Sequence, residues 1–335
     1  MITPPACRLV AMIDAHGDPE RVLRIAEQTL AAPSSQQVVL RMRRAPINPA
    51  DINVMEGSYG RLPPLPAVVG NEGVGEIIAC GKEVKGLQAG DWVRPGETGT
   101  WCSWMVTEAS ACLRLPPLPH IDQAAMLTVN PATAWRVLED FARLEAGDWV
   151  VQNAATSAVG RCLIALCRER GLRCACLVRR PEALAELSAL GADAVVMDDR
   201  AAAATLIALT ADRPPRLAIN AVGGDSAATL AKVLAPGGTL VTIGAMARRP
   251  LQISNGALIF KELRLVGFWI SAWYRRAAPD QRDHMLAELA ARLADGRLQL
   301  PVERVYPLGE VAAAVAHARQ GGRRGKILLA CDANG

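Results

Sequence analysis

Tyr59 stands in a short loop flanked by glycines, Gly57-Ser58-Tyr59-Gly60. A phenol has a reference pKa of about 10, so it stays protonated at neutral pH and can act as a general acid. A glycine-flanked loop lets the backbone come close to a ligand. Residue type alone equally allows a loop tyrosine that packs on its neighbours.

A second set of residues is the segment Val150-Val151-Gln152-Asn153-Ala154-Ala155-Thr156-Ser157-Ala158-Val159-Gly160, where a strand-like run enters a helical one. Such a turn aims backbone N–H groups and a helix N-terminus at an anion, above all a diphosphate. G-x-G-x-x-G is absent, and Ala155, Ala158 and Gly160 supply the small residues instead. An ordinary strand-to-helix turn has the same outline. The next strand, Cys174 to Val178, runs into Arg179-Arg180. NAD-binding folds place an acidic residue there for the ribose 2′-hydroxyl. Two arginines can instead pair with a 2′-phosphate, which favours NADPH over NADH; a solvated surface pair is the other reading.

Metal chemistry is not expected. Zinc sites use closely spaced Cys and His. His16, His120, His284 and His317 are far apart and read as surface residues. The nine cysteines contain no C-x-x-C, and Cys174 and Cys176 alternate within an apolar run. They read as free, mostly buried thiols of a reducing compartment rather than a disulfide framework.

These residues need a scaffold. From about 121 to 270 apolar runs alternate with helical ones. Expected strands are 149–153, 173–178, 194–197, 217–220, 239–243 and 264–268. Expected helices are 159–170, 181–190 and 225–235, with Gly171, Gly191 and Gly237 as stops and Asp225 near a cap. Six strands alternating with helices predict a doubly wound parallel sheet. Residues 1–120 instead carry short, glycine-punctuated runs such as 37–42, 73–79 and 91–95, which predict a mostly β unit. Residues 271–335 are too few to fold alone and are expected to pack back on it. The expected division is 1–120 with 271–335, and 121–270.

With 335 residues, two domains are expected. Charged residues are 21% and the net charge is +4, too small an excess to argue for nucleic acid. Only five of the 37 basic residues are lysine, which reads as coding bias in a GC-rich genome. No apolar run reaches the ~18 residues of a membrane helix. The start, Met1 to Val10, lacks the pattern of a signal peptide, so a cytoplasmic protein is expected.

Several segments together resemble the medium-chain dehydrogenase/reductase superfamily, and within it the zinc-free 2-enoyl thioester reductases. They are Ala45-Pro46-Ile47-Asn48-Pro49-Ala50-Asp51-Ile52-Asn53, Gly57–Gly60, Val69-Gly70-Asn71-Glu72-Gly73, Asn130-Pro131-Ala132-Thr133-Ala134, Gln152-Asn153-Ala154, Asn220-Ala221-Val222-Gly223-Gly224, Phe260-Lys261, Gly267-Phe268-Trp269-Ile270-Ser271-Ala272-Trp273 and Gly325-Lys326-Ile327. They run in order along nearly the whole chain. N-E-G and F-W-I-S-x-W are the pieces specific to enoyl reductases. Asn71 stands where zinc alcohol dehydrogenases of similar layout carry a histidine before the glutamate. Thr156 departs from the asparagine of many relatives.

The resemblance implies an α/β fold: a GroES-like, partly open β-barrel catalytic domain plus a Rossmann domain, with a cleft between them. It implies NADPH, no metal, no nucleic acid or membrane partner, and a homodimer joined by edge strands of the nucleotide domains. It implies reduction of a trans-2-enoyl thioester of coenzyme A or acyl carrier protein, with fatty-acid metabolism the expected setting and polyketide or another specialised metabolism left open. Unlike the mitochondrial members, this chain has no room for a long transit peptide, so a bacterial protein is expected. Tyr59 matches the catalytic tyrosine, whether it donates the proton or holds the enolate while water does. Asn130, Ile243, Gly244, Ala245 and Met246 would lie on the nicotinamide side. Thr156, Ser157, Ala158 and Val159 would hold the diphosphate. Phe268, Trp269 and Ile270 would border the acyl or nicotinamide pocket, and Lys326 would approach the cofactor. Asn48 and Asp51 would shape the loop under Tyr59. NADPH:quinone oxidoreductases are the nearest alternative, since they share the layout and can carry the same tyrosine. A non-catalytic cofactor-binding relative is the other.

Overall fold

The computed structural model describes residues 3–96 and 98–332. The chain forms two compact units, Met1–Val129 with Leu286–Gly335, and Asn130–Met285.

The first unit holds two sheets. In the smaller, Cys7–Ile13 lies between Leu23–Thr29 and Ala67–Val68, antiparallel to both. The larger has seven strands in the order Val302–Pro307, Lys326–Ala330, Gln37–Pro46, Val74–Cys80, Trp92–Arg94, Leu113–Arg114, with Trp104–Glu108 also paired to Gln37–Pro46. Only the pair Val302–Pro307 with Lys326–Ala330 is parallel. Val10 and Ile13 of the smaller sheet join Leu40, Met42, Ile77 and Ile327 of the larger, with Trp101, in one buried core. Gln37–Pro46 runs four residues beyond the expected 37–42. Arg41, Arg43 and Arg44 interrupt the apolar pattern, yet each is held in place by acidic partners: Arg41 and Arg43 by Glu76, Arg43 also by Asp332, and Arg44 by Asp122 and Asp332.

The second unit is built on six parallel strands in the order Ala194–Met197, Arg173–Val178, Trp149–Gln152, Leu217–Asn220, Thr239–Thr242, Arg264–Gly267. This is the doubly wound order, and the switch point lies between Trp149–Gln152 and Leu217–Asn220. Those two central strands are buried at every position, as covering helices on both faces require. The outer strands Ala194–Met197 and Arg264–Gly267 are not. Helix Ala158–Glu169 follows the first strand and packs on helix Asn130–Asp140.

One sequence expectation is refined and one needs correction. Asp225 lies near the cap as expected, in the first turn of its helix, but is not the cap itself. Gly223, at φ +87°, takes the cap, and the helix starts at Gly224. The Asn220 carboxamide oxygen accepts from the N–H of Val222 and of Gly223, which forces that tight turn. Nor are all four histidines surface residues. His120 and His284 are exposed, but His16 and His317 are half-buried. His317 bridges the Tyr306 hydroxyl at 3.1 Å and the Glu303 carboxylate at 3.0 Å.

Candidate active site

Tyr59 sits half-buried in the loop that follows helix Pro49–Met55. The sequence dictates this helix locally. Asn48 is the N-cap, Pro49 opens the first turn, and the Asp51 carboxylate reaches back to the Asn48 N–H at 2.7 Å. At the far end the Glu56, Gly57 and Ser58 N–H groups donate to Ile52, Val54 and Asn53. Gly57 has φ +75°, and a side chain there would sit 3.0 Å from the His16 Cβ. His16 in turn reaches the Val54 carbonyl through Nδ1 at 3.0 Å, and Gly17 N–H donates to Met55. His16 thus clamps the turn that carries Tyr59. Nothing in the sequence pattern marked it, because its partner is a backbone carbonyl 38 residues away.

Behind this helix lies a buried polar cluster. Asp51 is 1% exposed and also accepts from the Asn71 N–H and side-chain amide, both at 2.8 Å. Glu72 is 0% exposed and accepts from four donors: Asn48 Nδ2, the Thr128 N–H and hydroxyl, and the Val129 N–H. Lys326, 9% exposed, donates to the Asn48 side-chain oxygen and lies 3.5 Å from the Ile47 carbonyl. Burial pushes the Asp51 carboxyl up to about 7, against the pull of the Asn48 and Asn71 amides and of Lys326. Burial also raises Glu72, while Asn48, Lys326 and Thr128 draw it down. Gly70 introduces the segment at φ +102°; a Cβ there would lie 2.3 Å from the Trp101 ring.

In the second unit the expected residues gather along the carboxyl edge of the parallel sheet. Ser157 caps helix Ala158–Glu169, its hydroxyl accepting from Gly160 N–H at 3.1 Å. A Cβ on Gly160 would meet the Ala155 carbonyl at 2.4 Å, so only glycine lets the helix pack this closely on the turn. As first-turn amides, those of Ala158 and Val159 have no intrahelical acceptor. Thr156, Ala158 and Val159 are half-buried and Ser157 is exposed. Arg179 and Arg180 are both exposed just past Arg173–Val178. Among the described residues neither has a carboxylate partner. Helix-end amides plus two available guanidiniums can hold a diphosphate and one further phosphate.

Ile243, Gly244, Ala245 and Met246 fold over the end of Leu217–Asn220. Ile243 N–H donates to the Asn220 carbonyl and Met246 N–H to Ala221. Phe268 donates its N–H to Thr242 and meets Phe141 edge-on at 5.6 Å. Trp269 is half-buried with the Arg275 guanidinium over its ring. Ile270 turns inward and is buried. Asn130 is buried at the start of helix Asn130–Asp140. Lys326 and Tyr59 belong to the other unit.

Sequence reasoning missed the polar latch at the switch point. Asn153 donates from its amide to Asn220 and Ser226 and accepts from the Ala221 N–H. Asn220 passes on to Thr242, and Ser226 to Asp198. The signal was an asparagine at the end of each central strand, Asn153 and Asn220, where a ladder strand would carry an apolar residue.

Residues 34–117 match the family described as alcohol dehydrogenase GroES-like domain, and residues 190–329 the family described as zinc-binding dehydrogenase. The mitochondrial enoyl-[acyl-carrier-protein] reductase of Homo sapiens is 41% identical over 307 residues, covering 90% of this chain and 82% of the relative. That of Arabidopsis thaliana is 40% identical over 312 residues, covering 91% and 83%. Among solved structures, Etr1p with NADP and crotonyl-CoA superposes with a TM-score of 0.87 at 28% identity, over 97% of this chain and 99% of that one. The quinone oxidoreductase of Pseudomonas syringae superposes at 0.86 and 26% identity, over 96% and 99%. The chain belongs to the enoyl thioester reductases of the medium-chain dehydrogenase/reductase superfamily.

One of those family descriptions names zinc, and the residues of the cluster do not fit it. The Asn71 amide donates to Asp51, Glu72 is surrounded by four donors, and the nearby cations are the Lys326 ammonium and the Arg94 guanidinium. Among the described residues no group of three or more His, Cys, Asp or Glu could hold a metal. No described helix is long and apolar enough to cross a membrane.

Proposed function

We propose that this protein is an NADPH-dependent enoyl thioester reductase in which Tyr59 serves the proton side of the reaction. When bound, NADPH supplies the hydride that goes to the β-carbon of a trans-2-enoyl thioester. The α-carbon must then gain a proton, and negative charge gathers on the thioester oxygen meanwhile. Tyr59 is the group of the first unit suited to that charge, either by donating its proton or by hydrogen-bonding the oxygen while water delivers one. The Thr156–Val159 turn binds the diphosphate, and Arg179 and Arg180 bind the 2′-phosphate. Asn130, the 243–246 loop, Phe268 and Trp269 face the nicotinamide and acyl ends.

The observation that carries this reading is the joint presence of the clamped Tyr59 loop and a nucleotide turn followed by two unpaired arginines. Kinship with reductases whose names specify acyl-carrier-protein or CoA thioesters selects the substrate class. The quinone oxidoreductase neighbour is a relative at lower identity. NADPH consumption is measured with trans-2-hexenoyl-CoA and with a simple benzoquinone, for wild type and Tyr59→Phe. Rapid enoyl-CoA turnover is expected, falling about a hundredfold or more in the variant, as loss of a positioned acid does. Turnover of quinone alone, unchanged by the substitution, would leave a quinone reductase with a structural tyrosine.

The same reading makes the protein a homodimer of a bacterial cytoplasm, working in fatty-acid metabolism. In support, the outer strand Arg264–Gly267 leaves a sheet edge open, and Phe260 beside it is 84% exposed. None of the nine cysteines is paired, which suits a reducing compartment.

A further inference from the structure

Asp51, Glu72 and Lys326 lie buried together around one side chain, that of Asn48. The Asn48 carboxamide uses both ends. Its oxygen accepts from the Lys326 ammonium, and its nitrogen donates to Glu72 at 2.8 Å. An amide has one accepting and one donating end, so this pair of partners selects one orientation. Asn48 is also the N-cap of helix Pro49–Met55, and that helix hands over to the Tyr59 loop through the Glu56, Gly57 and Ser58 N–H groups. Lys326 comes from the opposite end of the sequence, as the first residue of Lys326–Ala330.

We propose that Lys326 is a positioning residue for the Tyr59 loop, acting by fixing Asn48 between its ammonium and the Glu72 carboxylate. The proposal rests on the reading of Tyr59 given above. Lys326 then works through Asn48 and the helix, not by contact with the cofactor. Glu72 completes the frame, because it also holds the N–H groups of Thr128 and Val129, the last two residues of the first unit's N-terminal segment.

The test compares Lys326→Met, Lys326→Arg and the double variant Lys326→Met/Glu72→Gln. Steady-state kinetics with NADPH and trans-2-hexenoyl-CoA are combined with hydrogen exchange of the segment 48–60. The double variant removes both charges, so it keeps the protein folded if the single one leaves Glu72 uncompensated. The expected result is a kcat about tenfold lower or more in Lys326→Met and in the double variant, with KM for NADPH within roughly threefold. Exchange at residues 56–58 is faster, and Lys326→Arg recovers part of kcat. A KM for NADPH raised about tenfold with kcat kept at saturation would overturn the proposal in favour of direct cofactor contact. So would a double variant with wild-type kcat and exchange, since the lysine would then only balance charge. Tyr59→Phe is run in parallel. Full activity there removes the acid reading, while exchange in the Lys326 variants still decides whether the lysine holds the loop.

Discussion

In the proposed reading, Arg179 and Arg180 occupy the position that separates the two nicotinamide cofactors. Both are exposed at the end of Arg173–Val178, on an edge where an acidic residue would repel a 2′-phosphate. Hydrogen bonds to charged groups contribute about 1.5–3 kcal/mol, which is roughly a ten- to hundredfold change in affinity. Replacing both by glutamate should therefore raise KM for NADPH by that factor and leave KM for NADH little changed. Parallel titrations with the two cofactors check this; an equal rise for both would mean the arginines do not read the phosphate. The Tyr59 loop is legible in sequence for the same local reason, as a phenol between glycines, while its role came from the resemblance. His16 is not, because its role comes from a backbone carbonyl brought to it by folding.

Helix Pro49–Met55 shows how an element can carry a pH dependence. Its Asp51 carboxyl is raised by burial from 3.8 to about 7 in the folded protein. A free Asp in the unfolded chain loses its proton near 3.9, so between about pH 4 and 7 the folded state binds more protons. Stability is then highest at the acid end of this window, declines as pH rises toward 7, and is level above it. The whole decline amounts to at most roughly 4 kcal/mol. Melting curves from pH 5 to 8 should fall for the wild type and run flatter for Asp51→Asn. Parallel slopes in the two proteins would show that Asp51 does not titrate in this range. The elements themselves were unequally legible. Strands 173–178 and 217–220 agree with expectation because apolar runs bounded by turns suit burial on both faces, and the half-buried outer strand 194–197 is legible from its Ala-Val-Val-Met run. The first strand stops at Gln152 rather than 153, because the Asn153 side chain turns to Asn220 and Ser226. Two-residue strands such as Ala67–Val68 and Leu113–Arg114 have no period to read.

At the scale of the whole molecule, the parallel sheet ends in Arg264–Gly267, a strand paired on one side only, which carries the exposed Leu265 and follows the exposed Ile259 and Phe260. Exposed edges of this kind are templates for pairing. If a second copy covers this one, the protein should sediment as a dimer, and Phe260→Glu should shift it toward monomer with the fold retained. Light scattering coupled to size exclusion, with circular dichroism on the same samples, distinguishes this from unfolding. A monomeric wild type would remove the homodimer from the proposed function.

The sequence alone determined the alternation of strands and helices, the strand-to-helix turn capped by Ser157, the exposed arginine pair after the next strand and the glycine-flanked loop of Tyr59. Each of these is local: hydrophobic period, cap residues and side-chain type act within a few positions. Tertiary structure decided which distant residues share a partner. Lys326 meets Asn48 across 278 positions, and Glu72 reaches Thr128 across 56. A buried charge must be paired with whatever the topology brings beside it. Strand order in the sheets is what brings Lys326, the cap of helix Pro49–Met55 and the segment after Gly70 to one place.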